Sequence, residues 1–116
     1  MANKVDLATL TVRQLKARRR RLSQQLGDPE ATLRGTLITQ GRRCGKPGCR
    51  CAQGELHGPY VYLSVGRATG RPRLLYVPAS LAEAVCERVQ LTEAAETALA
   101  EISAINLELL ARRELA

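Results

Sequence analysis

The first thirty residues carry a pattern of apolar positions that predicts an amphipathic helix. Apolar side chains recur at alternating steps of three and four, with one polar exception at Arg19; the series is Val5, Ala8, Val12, Leu15, Arg19, Leu22 and Leu26. Thr11 and Gln14 have the spacing of a capping box, which places the start of the regular part there. Gly27 and Pro29 then end the helix, which we expect within residues 5–27.

The middle of the chain predicts short strands around a long loop. Residues 33–40 alternate loosely between apolar and polar side chains and predict one strand. Residues 60–66 and 71–77 predict a hairpin, whose short connection has Gly70 to supply a positive φ. Residues 41–58 are rich in glycine and hold three of the four cysteines, which is typical of a loop.

A symmetric hairpin turn assigns each side chain of these two strands to a face. Val61 then lies opposite Tyr76, and Leu63 lies opposite Leu74. The face expected in the core carries Val61, Leu63, Val65, Leu74 and Tyr76, and the basic face carries Tyr60, Tyr62, Ser64, Arg71, Arg73 and Leu75. A slip of one residue would exchange the faces, because side chains alternate along a strand.

The last third of the chain predicts a long helix over residues 80–114. Pro78 ends the sheet, and Ser80 with Glu83 has the spacing of a capping box. The apolar stripe of this helix consists of Leu81, Val85, Val89, Ala95, Leu99, Ile102, Ile105 and Leu109. The stripe predicts antiparallel pairing with the first helix. A homodimer through the long helix is the alternative.

The charge of the chain changes this picture by indicating an anionic partner. The net charge is +7 and the pI is about 9.8. Residues 1–80 contain fifteen Lys/Arg and four Asp/Glu (+11), whereas residues 81–116 contain three and seven (−4). Such an imbalance favours nucleic acid over a membrane surface. Of the nucleic acids we expect DNA more than RNA. The chain has no apolar run of the ~20 residues that a membrane span needs and no secretory signal, so we expect it in the cytoplasm.

The cysteine cluster predicts one structural zinc ion. Thiols stay reduced in the cytoplasm, so clustered cysteines favour metal binding over disulfides. The spacing C-x4-C-x-C-x5-H makes Cys44, Cys49, Cys51 and His57 a Cys3His set, one of the standard structural sets for zinc. Four protein ligands leave no open position for a catalytic water. Cys86 is the alternative fourth ligand if the fold brings it near the loop.

Together these features predict an α+β fold in a single domain, residues 1–116. A zinc-stabilised β module over residues 33–78 lies between the two helices. Only three aromatic residues are present, so a metal ion would support a core built from small aliphatic side chains.

Three clusters of cations are the candidate nucleic-acid-binding residues. They are Arg13, Lys16, Arg18, Arg19, Arg20 and Arg21 on the first helix; Arg34, Arg42, Arg43, Lys46 and Arg50 around the cysteines; and Arg67, Arg71 and Arg73 beside Tyr60 and Tyr62. Arginines suit phosphate contacts, and tyrosine rings suit stacking on exposed bases. The acidic last helix would pair with some of the first cluster and make that part structural.

The cysteine segment and its flanks resemble a known group of proteins. The residues that carry the resemblance are Leu33-Arg34-Gly35, Arg43 to Cys51, Gly54-Glu55-Leu56-His57-Gly58-Pro59-Tyr60 and Tyr76-Val77-Pro78. Over residues 33–110 the chain resembles short bacterial proteins grouped as a domain of unknown function, which often accompany mobile elements. It also resembles zinc knuckles in its ligand types, although the spacing differs. The resemblance implies zinc and a bacterial cytoplasm, and no established activity.

The expected function is zinc-dependent, non-enzymatic binding of nucleic acid, as an accessory to a mobile element. The chain has no Walker loop, no nucleophile elbow and no cluster of acids for a metal-dependent nuclease. The alternative is a protein-interaction adaptor, or a small inhibitor, that docks through its long helix on a larger nucleic-acid enzyme.

Overall fold

The fold combines two helices with one antiparallel sheet. A computed structural model describes residues 5–42, 48, 54, 56–66 and 70–116. Its elements are a 3-10 turn Leu7–Thr9, helix α1 Val12–Ser23, a 3-10 turn Pro29–Ala31, strands β1 Thr36–Arg42, β2 His57–Val65 and β3 Arg73–Val77, and helix α2 Ala79–Ala111. The expected α+β class is confirmed.

The chain forms two compact units, and α2 contributes to both. The helix unit comprises Met1–Ala31 and Leu91–Ala116, and the sheet unit comprises Thr32–Gln90. Among the described residues, no helix has the length and apolar character that crossing a membrane requires.

The capping box at the start of α1 is confirmed. Thr11 Oγ1 accepts a hydrogen bond from the backbone N–H of Gln14 at 3.1 Å, and the Thr11 N–H donates to Gln14 Oε1 at 2.9 Å. The helix ends at Ser23, earlier than the expected cap at Gly27. Ser23 Oγ donates to the carbonyl of Arg20, and the backbone N–H of Gln25 donates to the carbonyl of Leu22, three residues earlier. This i→i−3 bond tightens the last turn, so the helix ends before Gly27.

The core of the helix unit confirms that α1 pairs with α2. Its buried side chains are Leu15, Leu22, Ala98, Ile105 and Leu109, with Leu7, Leu10, Val12, Leu26 and Ile102 packed against them. Burying one such leucine or isoleucine contributes about 1.5–3 kcal/mol. Arg112 ties the N-terminal 3-10 turn to the end of α2, because its guanidinium donates to the carbonyls of Leu10 at 2.6 Å and Leu7 at 3.1 Å.

The apolar stripe of α2 differs from the prediction, because it consists of two separate sets. Ala82, Val85 and Val89 pack in the sheet unit, and Ala98, Ile102, Ile105 and Leu109 pack in the helix unit. Leu81 and Leu99, which the single stripe included, are exposed. The helix begins at Ala79, so Ser80 lies inside its first turn.

The sheet has the strand order β1-β2-β3, with both pairs antiparallel. Leu63, Val77 and Val89 form the buried core beneath it, with Leu33, Leu37, Val61, Val65, Ala82 and Val85 packed around them. Gly70 has φ 86°, as the predicted hairpin connection requires.

The predicted register of the hairpin was wrong by one residue. Val61 pairs with Val77 rather than Tyr76, and Tyr62 pairs with Tyr76. Tyr76 and Leu74 therefore leave the expected core face and lie on the face of Tyr60, Tyr62 and Ser64. Leu75 and Arg73 leave the predicted basic face for the side of Leu63 and Val65. The slip buries Val77, which is 5% exposed, in place of Tyr76, which is 57% exposed. A compact branched side chain fills the core, and the ring stays at the surface.

Candidate nucleic-acid interface

The cations of α1 divide into two sets, of which the first is structural. Arg18 Nε donates to Glu101 Oε1 at 2.6 Å, and its Nη2 completes an ion pair with the same carboxylate. Arg19 Nη1 donates to Asn106 Oδ1 at 2.7 Å, and Lys16 Nζ donates to the backbone oxygen of Ala116 at 3.0 Å. These three cations are half-buried and bind the second helix or the residues after it. The expected pairing of the acidic helix with part of the cluster is thus confirmed at Glu101.

The second set points into solvent. Arg13, Arg20 and Arg21 are exposed, and α1 contains no acidic residue. They surround Ala17, whose small side chain leaves a depression between the longer arginine side chains. An open groove of about 580 Å³ runs over it, lined by Gln14, Lys16, Ala17, Arg20, Arg21 and Gln24. We call Arg13, Ala17, Arg20 and Arg21 the basic face of α1; the structural Lys16 borders it. Its charges and amide side chains suit an anion with several oxygen atoms.

The predicted metal site lies mostly outside the described residues. Cys44, Cys49 and Cys51 are outside them, as are Arg43, Lys46, Arg50 and Arg67. His57 is exposed and begins β2, opposite Arg42 at the end of β1. Among the described residues, no group of three or more His, Cys, Asp or Glu side chains is placed to hold a metal ion. Cys86 is half-buried on α2.

A cluster of tyrosines covers the side of the sheet that faces away from its core. The centroids of the Tyr62 and Tyr76 rings are 5.9 Å apart with an interplanar angle of 66°, and those of Tyr60 and Tyr76 are 6.3 Å apart at 71°. Both pairs are edge-to-face, the geometry that aromatic rings prefer. We call Tyr60, Tyr62 and Tyr76 the tyrosine face. It holds every Phe, Tyr and Trp residue of the chain.

The predicted faces put Tyr60 and Tyr62 together and wrongly put Tyr76 on the other side of the sheet. The alternation Tyr-x-Tyr in β2 was enough to put Tyr60 and Tyr62 on one side. The face on which Tyr76 lies depends on the register in which β3 pairs with β2, and the sequence left that register open. Only one of Tyr76 and Val77 can face the core, because neighbouring side chains on a strand point to opposite sides. Valine is fully buried more often than tyrosine, and this difference would have placed Tyr76 at the surface.

Three further candidate cations belong to the sheet unit. Arg34, Arg71 and Arg73 are exposed, and Arg73 begins β3. The sheet unit contains nine Lys/Arg and three Asp/Glu in its sequence, a net charge of +6. No acidic residue occurs in any of the three strands. The sheet unit therefore attracts anions more strongly than the helix unit, which carries the remaining +1.

The chain matches a known family model over more than half of its length. A family model described as Domain of unknown function (DUF6788) matches residues 12–85, which is more than half of the chain. The match includes α1, β1, β2, β3 and the beginning of α2. No curated protein and no solved structure matches the chain.

Proposed function

We propose that this chain, which belongs to the DUF6788 family, is a zinc-binding, non-enzymatic protein that binds nucleic acid, DNA rather than RNA. The family membership agrees with the resemblance to a domain of unknown function and assigns no activity. The function is therefore argued from the side chains of this chain. A bacterial cytoplasm and a role beside a mobile element are part of the proposal.

The observation that supports the proposal most is the basic face of α1. Three of the six cations on α1 are bound by partners in the helix unit, and Arg13, Arg20 and Arg21 remain exposed on a helix without acids. Like charges this close repel one another, and a phosphate backbone relieves that repulsion. Phosphate contacts of this kind give affinity and position without reading the base sequence.

Zinc has a structural role in the proposal. Cys44, Cys49, Cys51 and His57 provide the four ligands that closed structural sites use. The ion would hold the segment between β1 and β2, where Arg43, Lys46 and Arg50 add positive charge. Metal binding and local folding are coupled in small sites of this type.

The test is a salt series of DNA binding by the zinc-loaded protein. Replacing Arg13, Arg20 and Arg21 together by Gln should lower the slope of log affinity against log salt by about 2.7 on duplex DNA, at about 0.9 for each phosphate contact. Arg113→Gln is the matched control, since Arg113 is an exposed cation of the same unit outside the basic face. An unchanged slope in the triple variant would remove the basic face from the proposal. A wild-type protein that binds neither DNA nor RNA would overturn it.

A second candidate, a protein-interaction adaptor or small inhibitor, is favoured by the exposed leucines of α2. Three leucines of α2 are more than half exposed: Leu99, Leu107 and Leu110. Together they form an apolar patch on the surface of this helix. If this surface docks on a larger enzyme, Leu107→Glu should abolish a complex that survives nuclease treatment. The basic-face variant should leave that complex intact. If the protein instead forms a homodimer through α2, Leu107→Glu should reduce the mass of the particle in solution from that of a dimer to that of a monomer.

A further inference from the structure

The tyrosine face has the geometry of a stacking surface. Tyr62 on β2 and Tyr76 on β3 are directly paired residues, and Ile38 on β1 completes the row across the sheet. The edge-to-face packing of the rings holds Tyr76 between its two neighbours, while more than half of its surface stays exposed. The sheet therefore presents a ring whose orientation is fixed by two others.

The charge around this face selects a polyanion. The three strands contain no acidic side chain, and the unit to which they belong carries +6. Arg71 and Arg73 are exposed where the chain enters β3, the strand that carries Tyr76. The exposed ring of Tyr76, supported by the half-buried Tyr60 and Tyr62 on an acid-free sheet, is complementary to a ligand that has both flat apolar faces and negative charge. Nucleic acid has both.

We infer that the tyrosine face binds unpaired bases of single-stranded nucleic acid, with Tyr76 as the central contact. This inference rests on the proposed function and specifies its substrate. Bases inside a duplex already stack on their neighbours, so a protein ring reaches a base face only where the strand is single. Arg73 pairs with Val65 and so lies on the opposite side of the sheet from the rings, which means that its charge attracts phosphate through the general positive field of the unit rather than by a contact beside Tyr76.

The chain itself supplies a reporter for this contact. It contains no Trp, and its three tyrosines all lie on the tyrosine face. Intrinsic fluorescence therefore comes from this surface alone. Stacking of bases on the rings should quench it, after correction for absorbance by the oligonucleotide, whereas phosphate contacts at the basic face of α1 should leave it unchanged.

The experiment compares labelled oligodeoxythymidine, oligouridine and a DNA duplex by anisotropy and by tyrosine fluorescence. Tyr76→Ala should weaken binding of the single strands about 5-fold to 150-fold, the usual range for one stacked base, and should leave duplex binding unchanged. Tyr76→Phe keeps the ring and should bind like the wild type. Tyr76→Leu retains an apolar side chain without the ring, so it should bind as weakly as Tyr76→Ala even if the alanine variant is unstable.

Each outcome separates this inference from the proposed function. If Tyr76→Ala and Tyr76→Leu bind single strands like the wild type while the basic-face variant loses affinity, the inference is wrong and the proposed function stands. Equal losses on single strands and on the duplex would also overturn it, because a tyrosine ring cannot stack on bases that are already stacked inside a duplex. If the wild type binds no nucleic acid, both are wrong. A stronger effect on oligodeoxythymidine than on oligouridine would assign the face to DNA, and the reverse to RNA.

Discussion

Arg19 Nη1 donates a hydrogen bond to Asn106 Oδ1 at 2.7 Å, joining two residues that are 87 positions apart in the chain. Both side chains are half-buried, and Arg19 occupies the single polar position in the apolar pattern of the first helix. A shift of α1 along α2 by one turn would separate donor from acceptor. The pair thus favours one alignment of the two helices, as buried polar residues do in coiled coils.

The first prediction concerns this pair. Asn106→Leu should reduce the free energy of unfolding by about 1–3 kcal/mol, because it leaves a half-buried charged donor without the amide oxygen. Arg19→Leu combined with Asn106→Leu should lose less than the sum of the two single variants. Urea denaturation of the four proteins in a double-mutant cycle gives the coupling. Strict additivity would contradict the pairing.

The second prediction uses two adjacent leucines of α2 with opposite environments. Leu109 is fully buried, and Leu110 is 54% exposed. Leu109→Ala should destabilise the protein by about 2–5 kcal/mol, since it removes core contacts and leaves a cavity. Leu110→Ala should change stability by less than about 0.5 kcal/mol, as most surface substitutions do. Urea denaturation of the two variants measures both changes in the free energy of unfolding. Equal losses of stability would contradict the burial of Leu109 and the exposure of Leu110.

The third prediction concerns Gly58 at the start of β2. Its φ is 109°, and a Cβ built there would lie 2.7 Å from the backbone nitrogen of Tyr60 and 3.2 Å from the carbonyl oxygen of Gln40. No rotamer change relieves a clash with backbone, so Gly58→Ala should cost at least about 1–3 kcal/mol in thermal unfolding. Gly66→Ala is the control, because a Cβ there meets nothing within 4 Å. A Gly58→Ala protein as stable as the control would be evidence against this backbone.

The fourth prediction concerns the metal. Purified protein should contain one zinc ion per chain, and a chelator should lower the melting temperature, because zinc binding contributes folding free energy. Cys49→Ser should lose the zinc, and Cys86→Ser should retain it. His57→Ala decides between the two candidates for the fourth ligand. If His57→Ala keeps zinc and Cys86→Ser loses it, then Cys86 is the ligand. Protein without zinc would contradict the whole site.

Features set by neighbouring residues could be predicted from the sequence. The Thr11 and Gln14 capping box needs only residues of one helical turn, and it begins α1 as expected. The three strands followed from short runs of β-branched and aromatic residues. Pairing of the first helix with the last followed from their apolar periodicity.

Features set by distant residues could not be predicted. Arg18 and Arg20 are indistinguishable in a run of four arginines, and only the position of Glu101 makes Arg18 structural and leaves Arg20 exposed. The register of Tyr76 depends on the connection between Val65 and Arg73, which is longer than a symmetric tight turn. The metal ligands Cys44, Cys49 and Cys51 remain a prediction, because they lie outside the described residues.

The division of the helix unit between the two ends of the chain has a consequence for synthesis on the ribosome. The first helix emerges early, but Ile105 and Leu109, which pack with Leu15 and Leu22, emerge 83 to 94 residues later. Arg18 and Glu101 are likewise 83 positions apart. The sheet unit is local in sequence and can complete its contacts first, since domains assemble in order of synthesis and long loops close last. During that interval the nascent chain exposes leucines beside a run of arginines. The arginines reduce the risk of aggregation there, as charged residues flanking an apolar segment generally do.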